Sequence, residues 1–89
     1  MKSKVYEKVA ERDNYKCRVC GNNQIQIHHI VFRSHGGRDT PENLIALCFR
    51  CHAQAHSNEK SWRSWLFDLQ ADIYGRIEKD AVKAKNKWE

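Results

Sequence analysis

Apolar residues change their spacing several times along the chain, and each change marks an element. Over residues 3–13, "SKVYEKVAERD", Val5 and Val9, with Tyr6 beside them, recur at helical spacing behind Ser3 as a cap, which predicts a short helix. "QIQIHHIVF" (24–32) begins by alternating polar and apolar residues and reads as a strand. Residues 33–43, "RSHGGRDTPEN", hold two glycines, an aspartate and the one proline, the composition of a loop. "LIALC" (44–48) reads as a second short strand, and the breaker-free "CHAQAH" (51–56) as about two helical turns. Asn58 and Glu59 then open a longer helix. Its apolar stripe runs through Trp62, Leu66, Leu69, Ile73 and Ile77, then Ala81, Ala84 and Trp88. Unbroken over 59–88 it would be about 45 Å long at 1.5 Å per residue, against roughly 30 Å for a domain of this size. It is therefore expected to break near Gly75 or to project.

These elements predict an α+β chain forming a single domain over residues 1–89. Its motif-bearing core is 17–56 and its C-terminal helical extension about 59–88. With 89 residues, the core buries too little surface to give wide stability, and domains of this size commonly carry a staple. The charge balance, 16 Lys plus Arg against 11 Asp plus Glu, points to an anionic partner, with nucleic acid first. No apolar run approaches the roughly 20 residues needed to span a bilayer, and no membrane partner is expected. The charged start "MKSKVYEKVAERD" has no signal-peptide apolar region, so a cytoplasmic location is expected. Thiols stay reduced there, and paired cysteines then indicate a metal before a disulfide.

The four cysteines form two Cys-x-x-Cys knuckles, Cys17/Cys20 and Cys48/Cys51. Two such pairs can close a tetrahedral sulfur cage around a structural zinc. A redox pair or disulfides are the competing readings. Of the five histidines, His52 and His56 stand four apart and share a helix face. They can offer two imidazoles to one metal, with His28 or His29 on the strand as a third ligand. Three protein ligands with open positions describe a catalytic metal. The remaining histidine is then free to move a proton, and histidine's reference pKa of about 6.5 suits a general base. A single mixed Cys/His cage would leave surplus ligands.

"CRVCG", "IHHIV", "GG" and "NLIALCFRCH" occur in the order found in the HNH endonucleases, and the chain resembles that family from Cys17 to His56. The cysteines resemble those of its four-cysteine, zinc-containing branch, and the approach through Arg12, Asp13, Tyr15 and Cys17 is similar as well. The resemblance implies a small ββα-metal (His-Me finger) domain with a zinc knuckle pair and flanking N- and C-terminal helices. It implies that His28 is a metal ligand and His29 the general base. Asn43 matches the family's middle residue, in a loop-positioning role. His52 and His56 match the remaining ligands of the catalytic ion. Imidazole ligands accept Zn2+, Ni2+, Co2+ or Mn2+, and Mg2+ less well.

The function so implied is metal-dependent hydrolysis of DNA phosphodiester bonds, with double-stranded DNA as the expected substrate. One site cuts one strand, so a monomer should nick and a homodimer could cut both. The resemblance extends to small phage-encoded nucleases that act in the host cell, beside packaging or restriction machinery. A non-catalytic zinc module that binds nucleic acid, and a nuclease with little DNA/RNA discrimination, are the alternatives. Arg33 and Arg38 flank the glycine turn as candidate phosphate contacts. Lys79, Lys83 and Lys87 form a basic helical stripe near Arg76 that reads mainly as a solvated face. Trp62 and Trp65 are expected in the core, and His35 in a loop away from any metal.

Overall fold

The computed structural model describes residues 3–83, and its architecture is α+β. Helix α1 (Lys4–Arg12) precedes the first knuckle. Strands β1 (Ile25–His29) and β2 (Leu44–Cys48) form a two-stranded antiparallel sheet, and α2 (Phe49–Ser57) follows β2 without a linker. Helix α3 (Glu59–Tyr74) and the short α4 (Lys79–Val82) are the last of the described helices. Among the described residues no helix is long and apolar enough to cross a membrane.

The register pairs Ile25 with Cys48, Ile27 with Ala46 and His29 with Leu44 on one face. Gln26 with Leu47 and His28 with Ile45 share the other, because paired residues in an antiparallel ladder project to the same side. Every residue of β2 is buried, since helices cover both faces. Ile45 and Leu47 pack with Cys51 and Ala55 of α2 and Leu66 of α3. On the opposite face, α1 contributes the buried Val9 and Ala10.

Asp13, fully buried at its side chain, ties α1 to the sheet. Its Oδ1 accepts from Arg12 Nε (2.8 Å) and Arg18 Nη1 (3.0 Å), and its Oδ2 accepts from Arg12 Nη2 (2.9 Å) and the Ala46 N–H (3.0 Å). A buried carboxylate is tolerated only with such saturation. Ser3 stands at the N-terminus of α1, but its side chain makes no capping hydrogen bond.

Helix α3 stops at Tyr74, where Gly75 turns the backbone at φ 68° and ψ −140°, so the long helix breaks at the expected place. The predicted stripe along it is only partly inward. Leu66 is buried and Trp62 and Leu69 pack against the core, but Trp65 (44% exposed) and Ile73 (46% exposed) face outward. Gln70 holds the central inward position instead, donating through Nε2 to the carbonyls of Pro41, Glu42 and Leu44 and accepting from Arg18 Nη1. The basic residues do not share one helical stripe. Lys79 begins α4, Lys83 sits in an extended bridge with Gly37, and Lys87, like Ala84 and Trp88, lies outside the described residues.

Candidate metal centres and active site

The two knuckles meet at one end of the sheet. Cys48 closes β2, Cys51 lies in the first turn of α2, and the Sγ atoms of Cys17, Cys20, Cys48 and Cys51 all lie within 4.8 Å of one another. Cys20 and Cys48 are 3.5 Å apart, close to the roughly 3.8 Å edge of a tetrahedron with 2.3 Å zinc–sulfur bonds. Gly21, at φ 81°, makes the tight return that the first knuckle needs. The Cys51 backbone N–H on its sulfur holds the Cys48 thiol down at about 7, favouring the thiolate. The cysteines are unpaired thiols, and the cluster fits a structural metal such as zinc.

A second cluster forms from His28, His52 and His56, whose ring nitrogens also lie within 4.8 Å of one another. His28 stands on the α2-facing side of β1, and His52 and His56 lie one turn apart on α2. The ring of His28 is 5.1 Å from that of His52 and 5.5 Å from that of His56. Burial, reinforced by His52, His56 and His29, pushes the His28 pKa down to about 3, so its ring is the neutral imidazole a metal takes. Burial and His56 also lower His52. The two clusters are separate, with Cys51 and His52 diverging from adjacent positions on α2. Three imidazoles with no fourth protein ligand grouped with them among the described residues fit a divalent ion that keeps positions open.

His29 is the last residue of β1, and the chain bends at Ile30 and Val31. Its ring lies on the α1 side, edge-on to Tyr6 at 6.0 Å. The His28 and His29 rings therefore leave opposite faces of the sheet, at the end of β1 where the chain bends away. His29 Nε2 is 2.6 Å from Asp39 Oδ1, and Arg33 Nη2 is 3.2 Å from Asp39 Oδ2. A carboxylate only accepts, so Nε2 carries the hydrogen; in the neutral ring the lone pair then lies at Nδ1.

Asn43 is fully buried and lies in neither metal cluster. Its Oδ1 accepts from the Val31 N–H (2.8 Å), and its Nδ2 donates to the carbonyls of Val31 (3.1 Å) and Arg38 (3.0 Å). Its own carbonyl accepts from the Ile30 N–H. The side chain thus clamps the start of the loop to its return. Gly37 lies against the same clamp, where a Cβ would fall 1.8 Å from the Val31 carbonyl oxygen.

Arg33 directs its charge to Asp39, whereas Arg38 holds the loop through its backbone. His35 stays outside the histidine cluster, 3.3 Å from Glu59 and stacked on Phe32. Two residues of the site are not found by sequence reasoning. Asp39 has the pattern of loop punctuation, and its approach to His29 depends on the loop's path. Phe32 falls within the stretch expected as a strand, yet its ring stacks on His56 at 4.6 Å and meets His28 edge-on at 5.9 Å, walling the cluster. Its place three residues after His29 in an apolar run is the only signal.

The sequence model of the HNH endonuclease family matches residues 17–58, which contain both clusters. Among curated relatives, the type IV methyl-directed restriction enzyme EcoKMcrA of Escherichia coli is 39% identical over 41 residues. That is 46% of this chain and 15% of the enzyme. Anaredoxin of Nostoc is 33% identical over 58 residues, covering 63% of this chain and 76% of that protein. The chain thus spans a small part of the first relative and about three quarters of the second. No solved structure matches it.

Proposed function

The chain belongs to the HNH endonuclease family, and from that premise we propose that it is a metal-dependent endonuclease hydrolysing DNA phosphodiester bonds. We read it as one nuclease domain that nicks as a monomer. The observation that carries the reading is the convergence of His28, His52 and His56 at the tip of the sheet, beside a His29 whose ring is bonded to Asp39.

In this reading His28, His52 and His56 hold the ion through neutral imidazoles. When bound, a divalent ion supplies Lewis-acid stabilisation to the scissile phosphate and the leaving 3′ oxygen. His29 accepts the proton of the attacking water at Nδ1, the nitrogen that Asp39 leaves free. The water oxygen bonds to phosphorus as the bond to the 3′ oxygen breaks. Asp39 fixes the tautomer and stabilises the imidazolium that forms. Asn43 keeps His29 and the loop carrying Asp39 in register. Arg38, with Arg33 where a phosphate competes with Asp39, contacts the DNA backbone. The four cysteines hold a structural zinc that fixes the β2–α2 corner.

Supercoiled plasmid, incubated with Mg2+, Mn2+, Co2+, Ni2+ or Zn2+ in turn, tests the reading. Open circles should appear before linear DNA. Binding without cleavage under every ion would leave a non-catalytic zinc module. Equal cleavage of an RNA substrate run in parallel would indicate a nuclease without sugar preference. Methyl-directed targeting, named for the restriction enzyme, is tested by methylated and unmethylated plasmid side by side.

A further inference from the structure

β1 has a partner on one edge only, and its α2-facing side carries Gln26 one pleat before His28. Gln24 continues that alternation beyond the strand. On α2, Phe49, His52 and His56 stand at i, i+3 and i+7 and share one stripe. Because Ile25 pairs with Cys48, α2 begins beside the start of β1 and runs alongside it toward the histidine cluster. Two rows therefore lie side by side: Gln24, Gln26 and His28 on the strand, and Phe49, His52 and His56 on the helix. At one end they close into the histidine cluster. At the other they flank a groove of about 320 Å³ lined by Gln24, Ile25, Gln26 and Phe49.

Phe49 is out of place by folding criteria. It is 76% exposed, more than any other large exposed hydrophobic among the described residues, and it belongs to no core cluster. Beside it Arg50 is exposed, on a chain of net charge +5. An open aromatic face, primary amides and a neighbouring guanidinium are the groups that bind a nucleotide. The aromatic face stacks on a base, the amide pairs with the base edge, and the guanidinium meets phosphate.

We infer that this groove is a nucleobase subsite, in which Phe49 stacks on a base of the strand whose phosphate enters the histidine cluster and Gln26 hydrogen-bonds to that base's edge. The inference rests on the nuclease reading for the position of the phosphate. Stacking accepts any base, whereas the Gln26 amide, one donor beside one acceptor, matches the paired acceptor and donor of adenine.

Binding of fluorescent single-stranded oligonucleotides by the metal-loaded protein, read by anisotropy with Ca2+ to prevent turnover, tests this apart from cleavage. Phe49→Ala should weaken binding about tenfold, with the melting temperature unchanged because the ring is exposed. Phe49→Trp should restore binding. Across oligonucleotides each carrying one abasic site, one position should abolish the difference between wild type and Phe49→Ala. Gln26→Ala should narrow any preference for adenine at that position. Equal affinity of Phe49→Ala and wild type, or a loss that no abasic position removes, would overturn the subsite. Phe49-dependent binding by a protein that cleaves nothing would refute the nuclease reading and leave the subsite standing.

Discussion

His28 and His29 are neighbours in sequence that the proposed mechanism gives opposite tasks, and at the end of β1 their rings leave opposite faces of the sheet. His28 turns inward to two other imidazoles, and His29 turns to Tyr6 and Asp39. His29→Ala should keep the fold and both metal contents while lowering the cleavage rate by about 10² or more, the scale of a lost general base. Asp39→Asn should give a smaller loss in kcat with little change in KM, because an amide can still accept at its oxygen but carries no charge for the imidazolium. Full activity in His29→Ala would remove the mechanism. Asn43→Ala is a different kind of lesion: it strips partners from the Val31 N–H and from two carbonyls in a buried site. It should cost about 2–4 kcal/mol in urea unfolding, with activity falling through the loop. The histidine pair is legible in the sequence because its spacing to His52 and His56 is characteristic. Asp39 is not, since a carboxylate ten residues from its partner carries no periodic signal.

At the scale of elements, spacing locates the helices and strands well but misplaces part of the inward face of α3, at Trp65, Gln70 and Ile73. A hydrophobic stripe assumes that the core lies against apolar side chains. Here α3 also covers the turn at residues 41–44, whose carbonyls point at it, so a glutamine takes the inward position and Ile73 is left outside. Gln70→Ala should therefore destabilise by about 2–3 kcal/mol, whereas Ile73→Ser should stay within about 0.5 kcal/mol. Chemical denaturation of the two variants side by side checks the inversion. The break at Gly75 is legible because a helical pattern too long for its domain must yield somewhere, and glycine is the weakest helix former in that stretch. The bridge that removes Lys83 from a helix is not, because it pairs with a segment remote in sequence.

For the molecule as a whole, the cysteine end, where β2, α2 and the first knuckle meet, is where a bound structural metal would add stability. Cys48→Ser should lower the melting temperature sharply and make the remaining structure insensitive to chelator, since metal binding is folding energy in such domains. Calorimetry with and without a zinc chelator measures both. Stability should also fall as the pH drops. Unfolded His28 takes up a proton near its ordinary value of about 6.5, whereas the folded ring resists protonation down to about 3. Between these limits the unfolded state binds more protons, so ΔG of unfolding rises with pH and levels off above about 6.5. Urea titrations of the metal-free protein between pH 4 and 8 test the sign.

The contact between Gly37 and Lys83, with the Arg38 N–H on the Val82 carbonyl and the Thr40 hydroxyl on Ala81, joins segments about half the chain apart. Closing so long a loop is entropically dearer than forming the β1–β2–α2 unit it wraps. In kinetic terms the loop that presents Asp39 is expected to settle last. A refolding chain would gather both ligand clusters before Asp39 is seated against His29, so the recovery of metal binding should run ahead of the recovery of activity.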